Sequence, residues 1–137
     1  MPCPFFEPQR ALRPSTQSGG RLPLIDEYDG MCHATDSSVP APDSARFRLC
    51  NHGNSKGLCV LFPGGEIRSC LRYEVTTNAE GKLSILCIEE QGYAPLRWYR
   101  VQYVPSEDRL DPAPEDLCIR AQALAFARSF VALTAKS

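Results

Sequence analysis

Several features that would assign a function at once are missing from this 137-residue sequence. It has no excess of basic residues, because 15 Lys and Arg face 16 Asp and Glu, for a formal net charge of −1. Proteins that grip phosphate backbones depend on such an excess, so the composition argues against nucleic acid as a partner. The first eight residues, MPCPFFEP, have neither the basic segment nor the apolar run of a signal peptide, and no apolar run suggests a membrane span. We therefore expect a cytoplasmic protein.

Short motifs for metal and phosphate binding are also missing. No two cysteines form the C-x-x-C pair that structural zinc sites commonly use. The segment from Gly53 to Gly57 lacks the residue order of a phosphate-binding loop. Cys50 and His52 form half of a Rieske-type pattern, but no second histidine follows Cys59. Any metal site must therefore be built from cysteines that are scattered along the chain.

The sequence is instead rich in proline, with 12 residues, and in cysteine, with seven. Residues 1–137 are of single-domain size, but the two halves differ in pattern. Residues 1–69 have many prolines and little periodicity, which predicts an irregular lobe, with short helical turns at Leu24 to Met31 and Ala41 to Leu49. Residues 70–137 have the regular patterns of strands and a helix.

The second half predicts a three-stranded antiparallel sheet packed by a C-terminal helix. Alternating or continuous apolar residues predict strands at Leu71 to Thr76, Lys82 to Glu89 and Leu96 to Val104, joined by turns too short for a parallel crossover. A helix is predicted from about Pro114 to Ala135, and its apolar stripe consists of Ile119, Ala123, Phe126, Phe130 and Leu133. The fold class is therefore α+β, with an irregular cysteine-ligated lobe before the sheet.

Four cysteines lie in the proline-rich half: Cys3, Cys32, Cys50 and Cys59, here called the four N-terminal cysteines. Cys87 and Cys118 have aliphatic neighbours, which is typical of buried core cysteines. A reducing compartment favours metal binding over disulfides for the other four. Ordering some sixty loop residues costs about 1–2 kcal/mol each in backbone entropy, and the few apolar anchors in this half, such as Leu22 and Leu24, offset little of it. Metal binding worth roughly 10 kcal/mol could hold such a lobe.

A [4Fe–4S]-type cluster is the predicted cofactor, with zinc as the alternative. The intervals between the four N-terminal cysteines are 28, 17 and 8 residues, and a large cluster can accept such dispersed single ligands. Phe5, Phe6 and Phe62 are expected to shield the site from water. His52, Lys56 and Cys70 are candidates for outer-shell groups, and His52 or Cys70 could replace a ligand.

These features favour an electron-transfer or redox-sensing subunit that acts with a larger protein partner, rather than an enzyme. Three alternatives stay open: a structural zinc module, a metal-free thiol enzyme using Cys50 or Cys59, and an exported disulfide protein. On the third strand, Trp98 is expected to pack inward, with Arg97, Tyr99 and Tyr103 on an outer face that could contact a protein.

Overall fold

The computed structural model describes residues 2–13, 23–53, 56, 58–92 and 94–135. It is an α+β fold with two antiparallel sheets and a C-terminal helix. The prediction of one three-stranded sheet is therefore wrong in detail, because the described residues form a three-stranded and a four-stranded sheet. Leu22, predicted as an apolar anchor, lies outside the described residues.

The N-terminal half contains the three-stranded sheet, so the prediction of an irregular lobe is wrong. Its strands are β1 (Phe6–Arg13), β2 (Glu27–Cys32) and β3 (Val39–Pro40), paired in the order β1-β2-β3. Prolines are tolerated here because Pro8 and Pro40 lie on the two edge strands. A residue without an amide hydrogen on such a strand removes no hydrogen bond from the interior of the sheet. The pairing of β1 with β2 also shifts register between Pro8 and Arg10. The predicted helical turn at Leu24 to Met31 is wrong, since β2 occupies most of it.

A short helix follows β3 and has two geometries. Its first part, α1 (Asp43–Ala45), is α-helical, and the next six residues, Arg46–Asn51, form a π-helical segment. The prediction of a helical turn at Ala41 to Leu49 is therefore confirmed, although the helical residues run from Asp43 to Asn51. Asn51 is fully buried, and its side chain joins this segment to β2. Its Nδ2 donates hydrogen bonds to the carbonyls of Tyr28 (2.8 Å) and Arg46 (2.9 Å), and its Oδ1 accepts from the Tyr28 amide at 2.8 Å.

The four-stranded sheet is a meander of β4 (Cys70–Ala79), β5 (Lys82–Gln91), β6 (Ala94–Val104) and β7 (Arg109–Asp111). The first three strands confirm the predicted meander. Glu80 and Gly81 form the first turn with positive φ angles of 57° and 74°, so a two-residue connection suffices. The fourth strand was not predicted, because three residues are too few to show a period.

Trp98 does not pack inward, contrary to the prediction. Its side chain is 65% exposed, whereas Val101 and Tyr103 are buried and Tyr99 is half-buried. In β6 the odd-numbered residues Tyr99, Val101 and Tyr103 therefore face the core, and Trp98 and Arg100 lie on the opposite face of the sheet.

The helix α2 (Leu117–Ala135) confirms the predicted C-terminal helix and packs mainly against β1, with further contacts to β5 and β4. Ile119, Ala123 and Phe126 of the predicted stripe are buried. By length and composition alone, Leu117–Thr134 could also cross a membrane, and 44% of it is buried inside this fold.

The two halves of the chain share one core, which corrects the expectation that metal alone orders the N-terminal half. Phe6 and Leu24 are almost fully buried in the same cluster as the sheet and helix. Gln122 of α2, also fully buried, donates from Nε2 to the carbonyls of Cys3 (2.7 Å) and Phe6 (2.8 Å) and accepts from the Tyr73 hydroxyl at 2.9 Å. Apolar packing and these buried hydrogen bonds therefore fix the turn that carries Cys3.

Candidate metal centre

The fold brings the four N-terminal cysteines to one place from four separate segments. Cys3 lies in the turn before β1, and Cys32 ends β2 opposite Phe6. Cys50 belongs to the π-helical segment. Its backbone carbonyl accepts a hydrogen bond from the Cys3 amide at 3.1 Å. Cys59 lies in the loop of residues 58–67, here called the Cys59 loop. Strand pairing and helix geometry thus hold three of the thiols, and a loop holds the fourth.

All four thiols line a single small cavity, here called the thiol cavity. Its volume is about 10 Å³, roughly what one water molecule needs. The other lining residues are almost entirely apolar: Phe5, Phe6, Ala34, Pro42, Leu61 and Phe62. The three phenylalanines expected to shield the site all belong to this lining, and the rings of Phe5 and Phe62 meet edge to face with centroids 5.5 Å apart.

Three of the four thiols are buried and one is accessible. Cys3, Cys32 and Cys50 each have 7% exposure, whereas Cys59 is half-buried. The Cys59 loop is held by few backbone hydrogen bonds; the Phe62 amide donates to the Cys59 carbonyl at 3.1 Å and the Glu66 amide to Pro63 at 3.3 Å. Strand pairing therefore holds the wall of the cavity that carries Cys32, whereas turn hydrogen bonds hold the wall that carries Cys59.

The electrostatic environment of the cavity opposes free thiolates. Burial, followed by the nearby sulfur groups of the other three N-terminal cysteines, raises the pKa of Cys50 to about 12, while Arg46 acts weakly in the opposite direction. Four thiolates in this apolar space would repel one another strongly. A cation at the centre would remove that repulsion, because metal binding requires and stabilises deprotonated sulfur.

Arg68 packs on one of the aromatic rings that line the cavity. Its guanidinium lies 5.6 Å from the centroid of the Phe5 ring and pairs with Glu66 at 2.9 Å and with the buried Glu89 at 3.5 Å. The guanidinium thereby contacts a ring that belongs to the cavity lining. No local pattern predicts this arrangement, because Arg68 and Glu89 are 21 residues apart on different segments.

The other cysteines do not line the cavity. Cys87 is 2% exposed in the hydrophobic core, and burial raises its pKa to about 12. Cys118 is buried near the start of α2, where burial, with smaller contributions from Asp116 and other groups, raises its pKa to about 12. Cys70 is buried in β4 with its sulfur 3.6 Å from a carboxylate oxygen of Glu90.

The remaining candidates for outer-shell groups also lie away from the lining. His52 is exposed, with its ring 6.4 Å from the ring of Phe47. Lys56 is exposed and donates to the Ile67 carbonyl at 3.2 Å. His33, the other histidine, is half-buried and also absent from the lining; its ring nitrogens lie 2.7 Å from a Glu7 oxygen and 2.8 Å from the Ser38 hydroxyl.

In the part of the chain that the structure describes, no group of three or more His, Cys, Asp or Glu side chains is arranged to hold a single metal ion. No protein-family model, curated protein or solved structure matches this chain.

The cavity makes a prediction about the thiols of the metal-free protein. Iodoacetamide at pH 8 is expected to label Cys59 well before Cys50, Cys87 and Cys118. The reason is that Cys59 is half-buried, whereas the other three are buried and have pKa values near 12. Peptide mass mapping over a time course measures the order, and equal labelling of Cys50 and Cys59 would contradict it.

Proposed function

We propose that the protein binds a [4Fe–4S]-type iron–sulfur cluster through Cys3, Cys32, Cys50 and Cys59, and that it serves in electron transfer or redox sensing with a larger protein partner. The observation that carries the proposal is the meeting of four cysteines, distant in sequence, around one apolar cavity. Buried structural cysteines do not need such convergence, since each can pack separately, as Cys87 does.

A cluster fits the donor set better than zinc. Structural zinc sites commonly take paired ligands from C-x-x-C segments, and no two of these cysteines form such a pair. A four-iron cluster takes one thiolate at each iron, so its ligands stand further apart and enclose a volume. A structural zinc site is the runner-up and is distinguished by metal analysis.

The thiol cavity is smaller than a cluster, so binding requires part of its wall to move outward. The Cys59 loop is the part expected to move, because it carries the one thiol of the four that is only half-buried. Cys3, Cys32 and Cys50 would form a preformed half-site, and Cys59 would complete it. The apolar lining then excludes water from the sulfur atoms.

The residues around the cavity suit a redox site better than a thiol enzyme. A nucleophilic cysteine needs a lowered pKa and a nearby base, but burial and neighbouring sulfur raise the pKa of Cys50 to about 12. A bound cluster supplies one-electron redox chemistry, while the chain supplies the thiolates and a dry environment. None of the seven cysteines, all of which lie in the described residues, forms a disulfide, which suits the reducing cytoplasm.

Anaerobic purification followed by iron, sulfide and zinc analysis tests the proposal. We expect a brown protein that holds roughly four iron and four sulfide per chain, as a [4Fe–4S] cluster contains. A colourless protein with one zinc would replace the proposal with the structural zinc module. A metal-free protein after reconstitution with iron and sulfide would overturn both, and a mass increase of reduced over untreated protein would indicate disulfides.

A further inference from the structure

Cys3 and Cys50 are joined through their backbones as well as by the cavity that their side chains line. The Cys3 amide donates a hydrogen bond to the Cys50 carbonyl at 3.1 Å. Hydrogen-bonded residue pairs in antiparallel sheets have Cα atoms roughly 5.5 Å apart, and disulfides bridge Cα atoms that are about 4.4–6.8 Å apart. Both side chains line the thiol cavity, whose volume is only about 10 Å³. The backbone separation and the shared direction of the side chains therefore suit a disulfide.

Tertiary contacts hold both backbones in place. The Cys3 carbonyl accepts hydrogen bonds from Nε2 of the buried Gln122 at 2.7 Å and from the Phe6 amide at 3.1 Å. The residue after Cys50 is Asn51, whose buried side chain joins the π-helical segment to β2. Burial contributes most to the raised pKa of Cys50, and among the neighbouring sulfur groups that of Cys3 contributes most. Cys3 is therefore the sulfur that the fold keeps nearest to Cys50.

We infer that Cys3 and Cys50 form a reversible disulfide when the metal-free protein meets a small oxidised thiol such as glutathione disulfide. The two cysteine thiols lose two electrons and two protons, and glutathione disulfide takes them up to become two molecules of glutathione. Formation of this bond needs no metal. Its regulatory consequence rests on the proposed function, because the bond withdraws two of the four proposed ligands and the oxidised protein would not accept a cluster.

Cys59 gives the oxidant a route to this buried pair. Cys3 and Cys50 are each 7% exposed, whereas Cys59 is half-buried and lines the same cavity. Thiol–disulfide exchange proceeds through mixed disulfides. Cys59 therefore reacts first with glutathione disulfide and releases one glutathione. Cys50 then attacks the Cys59 sulfur and releases the second glutathione, and Cys3 attacks Cys50 and returns Cys59 to the thiol.

Equilibration of the metal-free protein in glutathione buffers, followed by acid quenching, alkylation and peptide mapping, tests the inference. We expect a single Cys3–Cys50 disulfide in the folded protein and a mixture of pairings in urea, where the backbone hydrogen bond is lost. Exchange at neutral pH is expected to be slow, since burial and the neighbouring sulfur groups raise the pKa of Cys50 to about 12, so samples are followed to equilibrium. No disulfide in the folded protein, or a predominant pairing of Cys3 with Cys118, would overturn the inference.

Three variants separate the bonded pair from the entry thiol. Cys50→Ala and its matched control Cys32→Ala each remove one buried thiol from the cavity, but only Cys50→Ala should abolish the disulfide. Cys59→Ala should reach the same oxidised fraction about tenfold more slowly, because the oxidant must then reach a buried thiol directly. Loss of the disulfide in Cys32→Ala would contradict the assigned pair, and a wild-type rate in Cys59→Ala would contradict the assigned route.

Incubation of the reduced and the oxidised protein with iron and sulfide distinguishes failure of this inference from failure of the proposed function. Only the reduced protein is expected to take up iron. If the disulfide forms but the reduced protein takes up no iron, the proposed cofactor is wrong and the disulfide stands. If the oxidised protein takes up as much iron as the reduced protein, the disulfide does not control the site, and its regulatory role is wrong.

Discussion

A Cys50→Ser variant is expected to lose most of its iron. Burial, together with the three other N-terminal cysteines, raises the pKa of Cys50, so its thiol lies near all three of them. Serine is close in size, but its hydroxyl is a hard, weakly acidic ligand that does not replace thiolate at iron. Anaerobic reconstitution followed by iron and sulfide analysis should show a fall from roughly four iron per chain to well under half of that.

The control for this loss is Cys87→Ala. Cys87 is as deeply buried and also has a pKa near 12, but it lies in the core and does not line the cavity. This variant should bind the full amount of iron while losing roughly 1 kcal/mol of unfolding free energy, the order expected for one missing buried atom. Full iron in Cys50→Ser would contradict the proposed ligand set, and full iron in Cys3→Ser would remove Cys3 from it.

The second half of the fold was predictable because its signals are local. Strand alternation in Leu71 to Thr76 and the apolar stripe of α2 each depend on residues that are neighbours in sequence. The error at Trp98 arose from judging one large residue by its hydrophobicity. The alternation of Tyr99, Val101 and Tyr103 in the same strand already puts Trp98 on the other face.

The N-terminal sheet was not predictable, because its pairing is non-local. The closest paired residues of β1 and β2, Arg13 and Glu27, are separated by thirteen residues, and no alternation marks either strand clearly. Proline density was read as irregularity, but the paired prolines lie on edge strands, which tolerate them. The polar groups that tie this region together, Asn51 and Gln122, carry no local sign that they are buried.

The sequence was enough to predict which residues line the candidate site, but not which structural elements bring them together. The scattered cysteines in the proline-rich half and the neighbouring phenylalanines indicated which residues would gather. Nothing in the sequence indicated that a π-helical segment would carry Cys50, or that Arg68 would cover Phe5. Those details depend on the tertiary contacts of the two sheets.

A Gly30→Ala variant is expected to be strongly destabilised and, through the fold, to weaken metal binding. Gly30 lies opposite Pro8, and a methyl group added to it would be 2.0 Å from the carbonyl oxygen of Glu7. That oxygen belongs to the backbone of β1, so relief requires the strand itself to move away from β2. We expect a loss of about 2–4 kcal/mol in the free energy of unfolding, at or above the upper end of ordinary overpacking.

The same displacement would separate Cys3, which precedes β1, from Cys32, which ends β2. Urea denaturation of the metal-free protein measures the stability, and iron content after reconstitution measures the second effect. Gly64→Ala is the matched control for stability, because a methyl group there meets nothing within 4 Å and should leave the urea midpoint unchanged. Equal urea midpoints for the Gly30 and Gly64 variants would show that β1 can move away from β2 without a loss of unfolding free energy. The sheet would then not be what holds these two thiols together.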